Sequence, residues 1–183
     1  MAAQPPGGGL SHPEVRLDLV RRELAQGAET IVALAAGVSA EEARQRPAPD
    51  AWSLLEVVCH LHDEEREDFR PRLDIVLHRP QETWIPIDPG GWVTARRYNE
   101  QVLAEALQGF RIERERSLAW LDGLVAPDWS REYKASFGPI TAGDLLASWA
   151  AHDLLHTRQL VELRRARLLT QTAPHRTQYA GDW

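Results

Sequence analysis

Two histidines four residues apart, His152 and His156, lie in the segment HDLLHTRQL at residues 152–160. On a helix with about 100° per residue, this spacing places both imidazoles on one side, where they can point at a common centre. Imidazole is a common ligand of divalent transition metals, and such a pair is the first half of a metal site. The same spacing is also found for buried histidines that are hydrogen-bonded within a core, so the pair alone leaves both interpretations open.

A second histidine-containing segment, CHLHDEE at residues 59–65, could complete the site. His60 or His62 would supply a third nitrogen from a facing helix and leave positions for water or substrate. Periodicity favours His62, because it lies nearer the centre of the apolar stripe of this helix than His60 does. That stripe consists of Leu54, Val58, Phe69 and Val76. Three histidines without a carboxylate or thiolate ligand would keep a charge of about +2 and acidify a bound water or thiol.

Two acidic residues could hydrogen-bond the remaining N–H groups of the histidine rings. Glu56 lies one turn before His60, and Asp153 is adjacent to His152. Ligand imidazoles usually donate their second N–H to such a carboxylate. The alternative is that Glu56 caps its helix and that Asp153 is an ordinary surface charge, and for Asp153 we favour this alternative.

Further pocket candidates lie after the second histidine segment and beside the loops. Asp63 and Glu64 could approach a metal from the turn beyond His60, although the acidic run 63–67 is typical of a solvated face. Trp84 lies within the irregular segment at residues 79–91, Trp92 directly follows it, and both could line a pocket. Tryptophans at such junctions are also common packing residues, so both roles stay open.

Long amphipathic helices must position these residues. Four helical patterns cover about residues 13–36, 53–78, 92–124 and 141–169. Serine or threonine followed three residues later by an acidic residue marks helix starts at Ser39, Ser53 and Thr141. Because no strand-like alternation extends over a useful length, we predict an all-α four-helix bundle with long inter-helix loops. It would span residues 11–170, between a flexible N-terminal tail at 1–10 and a C-terminal tail at 171–183.

The amino-acid composition indicates which binding partners and which cellular compartment to expect. The 183 residues carry a net charge of −6, which argues against a nucleic-acid partner. The single cysteine, Cys59, excludes an internal disulfide, fits the reducing cytoplasm and is expected to be a small buried hydrophobic residue. The N-terminal segment lacks the pattern of a signal peptide, and no apolar run approaches the ~20 residues of a membrane span. We therefore expect one cytoplasmic domain without a membrane partner.

The segments WSLLEVVCHLHDEE (residues 52–65) and WAAHDLLHTRQL (residues 149–160) resemble those of the DinB-like, or YfiT-like, superfamily of metal-binding four-helix bundles. In that family, a histidine after the Trp-Ser helix start joins the two histidines of an HxxxH element to hold a divalent metal. Matched residue by residue, the resemblance implies His60, His152 and His156 as ligands. It therefore favours His60, whereas the apolar stripe favours His62. Zinc or nickel is the expected ion.

The resemblance also implies an activity. Family members include S-transferases that depend on bacillithiol or mycothiol, so we expect an enzyme that adds such a thiol to a small electrophile in detoxification. The alternatives are a metal-dependent hydrolase with the same three-histidine site and a non-catalytic metal-binding protein of the stress response. A homodimer is expected from the family and from the wide apolar arc of the second helix. That arc consists of Leu55, Val57, Val58, Cys59 and Leu61.

Overall fold

The computed structural model describes residues 16–183, and its long helices pack as the predicted all-α four-helix bundle. The bundle helices are α1 (Leu17–Ala35), α3 (Leu54–Glu64) continued by α4 (Arg70–His78), α6 (Leu103–Asp122) and α7 (Ala142–Thr172). Helix α1 packs on α6 and α7, and α3 packs on the same two helices. The predicted tail at residues 1–10 and the predicted helix start at residue 13 lie outside the described residues.

Shorter elements occupy the connections. They are α2 (Ala40–Arg44), α5 (Pro89–Ala95), the 3-10 turns Tyr98–Glu100 and Gln178–Ala180, and the strands β1 (Glu132–Ala135) and β2 (Gly138–Thr141). The strands form an antiparallel hairpin in which Tyr133 faces Ile140. The sequence predicts a loop here, because strands of four residues are too short for alternation to be recognised.

The third predicted helix, at residues 92–124, is interrupted. Helix α5 ends at Ala95, and Arg97 adopts a left-handed conformation with φ of 49°. Such a backbone cannot continue a right-handed helix, and the chain restarts as α6 only at Leu103. The buried ring of Tyr98 stabilises this break, since its hydroxyl donates to Asp63 at 2.6 Å. Helical periodicity did not reveal the interruption, because the stabilising partner lies 35 residues away.

The predicted capping boxes are present at all three helix starts. Each side-chain oxygen of Ser39, Ser53 and Thr141 accepts the backbone N–H three residues later, and the acidic side chain there accepts the cap's own N–H. These reciprocal bonds satisfy two of the four backbone donors that a helix start leaves free. The helix starts at Ala40, Leu54 and Ala142 are therefore encoded locally.

The buried core has two apolar clusters with a polar layer between them. Along each bundle helix the apolar residues pass from one cluster to the other across this layer. One cluster lies towards α2 and includes Ala28, Ile31, Leu55, Val58, Phe110 and Leu160. The other lies towards the hairpin and includes Leu24, Leu73, Leu121, Tyr133, Leu145 and Trp149. The buried members of the polar layer are His60, Glu65, Arg114, Asp153 and His156.

Helix α3 is buried on nearly all sides. Its five-residue apolar arc, which had suggested a dimer interface, lies within the chain, each residue at most 5% exposed. The surrounding elements are α2, α5, α6, α7 and the turn at Tyr98–Glu100. The breadth of the arc therefore reflects a central position in the bundle, and the homodimer stays a prediction from the family resemblance.

Within residues 16–183, none of the helices has the combination of length and apolarity that crossing a bilayer requires.

Candidate metal centre

Three imidazole rings converge where α3 faces α7. The Nε2 atom of His60 lies 3.3 Å from that of His152 and 3.1 Å from that of His156. The Nε2 atoms of His152 and His156 are themselves 3.1 Å apart. The i, i+4 spacing on α7 aligns its two rings, and α3 brings the third ring from the opposite side of the cleft. The structure thus assembles the histidines that the family resemblance selected.

The rings are neutral and present free nitrogen lone pairs. Burial, reinforced by His156, lowers the pKa of His60 to about 3, and burial with the neighbouring histidines lowers that of His152 to about 2. Burial also lowers the pKa of His156. The Nδ1–H of His156 donates to Gln159 Oε1 at 2.8 Å, which leaves its Nε2 unprotonated. Neutral imidazoles whose second nitrogen is the donor are the form that binds metals.

The nitrogen triangle matches the size of a divalent metal site. Nitrogens bonded at about 2.0–2.1 Å to a tetrahedral ion stand about 3.3–3.4 Å apart, close to the separations observed. Without an ion, three lone pairs directed at one point would repel one another. Among residues 16–183, these histidines form the one group whose ligand atoms all lie within 4.8 Å of one another. The donor set therefore suits zinc, nickel or a related divalent metal.

Aromatic side chains pack against the three rings. The Trp52 ring centroid lies 4.9 Å from that of His60 and is stacked parallel to His156 at 6.5 Å. Phe69 contacts His152 from the other side, with centroids 5.0 Å apart. These apolar walls restrict the orientation of the imidazoles and limit the access of water. Neither residue was predicted to lie at the site, although Trp52 stands directly before a helix cap, where an apolar residue often packs onto its own helix.

A π-helical turn at Glu65–Phe69 connects α3 to α4. The extra residue in this turn rotates the following side chains by about 100° relative to an uninterrupted α-helix. Phe69, at the end of this turn, packs against His152 and Trp149. The predicted apolar stripe mixed residues from both sides of this turn, which explains why periodicity preferred His62. That ring instead lies against α6, where a Cβ at Gly109 would stand 2.6 Å from its Cε1 atom.

The two carboxylates proposed to hydrogen-bond the rings have other partners. Glu56 accepts the Ser53 N–H at 2.8 Å and pairs with Arg46, so its capping role is the observed one. Asp153 is 2% exposed and pairs with Arg114, which contradicts the interpretation as a surface charge. Within the described residues, the Nδ1 atom of His60 is buried without a hydrogen-bond partner.

Three acidic residues beyond His60 are buried, namely Asp63, Glu64 and Glu65, which corrects their interpretation as part of a solvated face. Asp63 accepts hydrogen bonds from Arg66, at 3.0 Å, and from Tyr98. Glu64 is 4% exposed, and burial together with Asp68 raises its pKa to about 9. Asp63 therefore serves the connection to the α5 region, whereas Glu64 is a neutral carboxylic acid on the His60 side of α3.

The loop tryptophans pack against other side chains. Trp84 stacks on Tyr133 with centroids 4.3 Å apart, and Arg72 lies over its indole. Trp92 lies beneath the guanidinium of Arg96 at 4.1 Å. Both tryptophans are therefore packing residues, which was the alternative to a role in lining a pocket. The aromatic rings next to the histidines are those of Trp52 and Phe69.

A buried charge network occupies the same layer as the histidines. The Arg114 guanidinium donates to both carboxylate oxygens of Glu65 and to both of Asp153, at 2.6–2.9 Å. Its remaining N–H reaches the carbonyl of Leu24, so all five donors are used. Trp149 Nε1 also donates to Glu65 at 2.9 Å. Arg114 therefore joins α1, the π-helical turn and α7 at the level of His152.

A pair of alanine variants distinguishes His60 from His62. We expect His60→Ala to lower zinc affinity at least about 100-fold, because it removes one of three protein ligands. His62→Ala should change the affinity less than about threefold, since this ring lies against Gly109 on α6. Competition with a chromogenic chelator measures both values. The reverse ranking would show that His62 is the ligand.

Comparison with known proteins identifies a family and a solved structure with the same fold. Residues 23–160 match the family model described as the DinB superfamily. A solved structure from Bacillus subtilis, described as "YfiT from Bacillus subtilis is a probable metal-dependent hydrolase with an unusual four-helix bundle topology", superposes with a TM-score of 0.75. The identity is 17%, and the match covers 87% of this chain and 92% of that one, which shows a shared fold. Comparison with curated proteins gives no match.

Proposed function

The chain belongs to the DinB superfamily, and from this premise we propose that it is a divalent-metal-dependent S-transferase for a low-molecular-weight thiol. The observation that carries the proposal is the convergence of three neutral imidazole nitrogens within 3.3 Å of one another. We propose His60, His152 and His156 as the ligands, zinc or nickel as the ion, and bacillithiol or mycothiol as the thiol.

Ligand charge is the physical reason for this choice. A divalent ion supplies Lewis acidity that lowers the pKa of a bound thiol or water. Histidine ligands leave the charge of such an ion uncompensated, whereas each cysteine or carboxylate ligand would cancel one unit. The low pKa values of His60 and His152 keep both imidazoles neutral throughout the physiological range, so each ring has one nitrogen without a proton.

The surrounding side chains fix the orientation of the histidine rings and restrict the access of water. Gln159 orients the His156 ring through its Nδ1–H, and Trp52 and Phe69 restrict water on either side. The protein does not provide the nucleophile from Cys59, because burial raises the pKa of that thiol to about 12. In the proposed reaction, the attacking group is an external thiol. Its sulfur bonds to the electrophilic carbon, the leaving group departs with the bonding electrons, and the thiol proton is released to solvent.

A thiol panel tests the proposal. A free thiol of pKa about 8.5 is only a few per cent ionised at pH 7, so full ionisation raises its reactive fraction by up to about 30-fold. We expect zinc- or nickel-loaded protein to accelerate conjugation of bacillithiol or mycothiol to a halogenated aromatic compound, measured by product mass and halide release. Chelation or His156→Ala should abolish the acceleration, whereas His62→Ala should retain it. Equal rates with and without loaded protein for every thiol would refute the S-transferase.

Hydrolysis is the second candidate, favoured by the description of the Bacillus subtilis protein as a probable metal-dependent hydrolase. An ion held by the same three nitrogens would then activate a water molecule as the nucleophile. A panel of ester and amide substrates, run without added thiol, distinguishes the two reactions. Metal-dependent hydrolysis without any thiol effect would favour the hydrolase, and metal binding without turnover in either panel would favour a non-catalytic stress-response protein. We place each of these roles in the cytoplasm and expect a homodimer.

A further inference from the structure

A cavity of about 520 Å³ lies beside the start of α3 and the C-terminal half of α7. Its apolar floor consists of Val38, Leu54 and Leu163, and arginines surround its rim. Leu163 follows His156 by seven residues, which is about 10 Å along a helix, so the cavity is separate from the histidine triangle. A concave site with an apolar floor and a few charged groups is the usual form of a small-molecule pocket.

Three arginines, Arg46, Arg164 and Arg167, line the rim. Each contacts an acceptor that fixes its position. Arg46 pairs with the buried Glu56 side chain, Arg167 lies 3.3 Å from Glu42 Oε2, and Arg164 donates to the carbonyl of Leu34 at 2.7 Å. Together, the three guanidinium groups and their two carboxylate partners have a net charge of +1, whereas the whole chain has a net charge of −6. The cavity is therefore a local positive site on an acidic protein.

Two of these arginines have guanidinium N–H groups without a described hydrogen-bond acceptor. Arg46 uses Nε and Nη2 for Glu56, and within residues 16–183 its Nη1 has no protein acceptor. Arg167 approaches Glu42 through Nη1, and within the same residues its Nε and Nη2 have no described hydrogen-bond acceptor. The Glu42 carboxylate on the wall is itself occupied, because it accepts from the Ser39 N–H and from Gln171 Nε2. Both arginines line the same cavity as the apolar residues Leu54 and Leu163.

We propose that this cavity binds the carboxylate end of an amphipathic small molecule. Arg46 and Arg167 would donate charge-assisted hydrogen bonds to the anionic group, because guanidinium groups match the geometry of a carboxylate. The apolar part of the ligand would cover Leu54 and Leu163. This site is distinct from the histidine triangle, and it stands whether or not the proposed S-transferase activity does.

Hexanoate serves as the test ligand, and its uncharged analogue hexanamide reports the contribution of charge. We expect isothermal titration or ligand-observed NMR to show hexanoate binding at least about tenfold tighter than hexanamide, and weakening as salt is raised. Arg167→Gln should weaken hexanoate binding about tenfold. Arg158→Gln on the same helix is the matched control, because that side chain is 73% exposed and pairs only weakly with Glu162.

A second arginine on the rim, Arg46, provides an independent test. Arg46→Gln should have an effect similar to that of Arg167→Gln, and thermal melts identify any variant in which the loss reflects unfolding. His156→Ala should leave hexanoate binding unchanged, which separates this site from the proposed metal centre. Equal affinity for hexanoate and hexanamide, or an Arg167→Gln affinity equal to that of Arg158→Gln, would overturn the proposal.

Discussion

Alanine in place of His156 should reduce bound zinc from about one ion per chain to less than about a tenth of that value after dialysis. The variant loses one of three nitrogens that lie within 3.3 Å of one another, and a site with two protein ligands holds a divalent ion weakly. Because loss of a hydrogen-bonding partner behind a ligand already lowers affinity about 10–100-fold, loss of the ligand itself should exceed 100-fold. Elemental analysis and chelator competition measure the two quantities, and His152→Ala should behave alike.

A graded variant and a control make this result specific. Gln159→Leu keeps all three nitrogens but removes the acceptor of the His156 Nδ1–H, so we expect a loss of affinity of about 10–100-fold. His78→Ala removes an exposed histidine that pairs with Asp74, and it should leave the zinc content unchanged. Full zinc retention in both His152→Ala and His156→Ala would exclude these residues as ligands.

The variant Arg114→Met should lower the free energy of unfolding by about 3–5 kcal/mol. Burial alone would lower the pKa of Arg114, but Glu65 and Asp153 raise it above its ordinary value, so the guanidinium stays charged. Methionine fills part of the same volume but leaves two buried carboxylates without their cation. Leaving one member of a buried ion pair uncompensated is among the most destabilising changes that a single substitution makes. Urea unfolding followed by circular dichroism gives the difference.

Arg111→Met on the same helix is the matched control. Arg111 is exposed and approaches Glu29 only to 3.4 Å, so its replacement should change the free energy of unfolding by less than about 0.5 kcal/mol. The network also needs the close approach of α1, since a Cβ at Gly27 would stand 2.5 Å from Asp153 Oδ2. A loss below about 1 kcal/mol for Arg114→Met would show that the network contributes little to stability.

Patterns among residues close together in the sequence predicted much of the architecture. The capping boxes at Ser39, Ser53 and Thr141 involve residues three positions apart, so their hydrogen bonds depend on the chain itself and appear where the sequence predicted them. The shared face of His152 and His156 follows from helix geometry in the same way. The burial of Cys59 was also expected from its type. The DinB-like family and its four-helix bundle were recognised from the two histidine segments, and the family model and the fold confirm both.

Long-range contacts decided the rest, because no local pattern encodes them. The carboxylates of Glu65 and Asp153 are buried only because Arg114 arrives from another helix, 49 and 39 residues away along the chain. Without that cation an acidic residue belongs on the surface, which is why the sequence suggested solvated side chains.

The choice between His60 and His62 likewise required the folded chain. The π-helical turn after α3 changes the register of the apolar stripe, and the packing of α7 against α3 determines which ring meets His152 and His156. By itself, the sequence determined the main helical segments, the capped helix starts at Ser39, Ser53 and Thr141 and the paired histidines of α7, since each depends on residues within one or two turns. The tertiary structure alone decided which distant charges pair and which third ring completes the site, because both depend on how the helices pack.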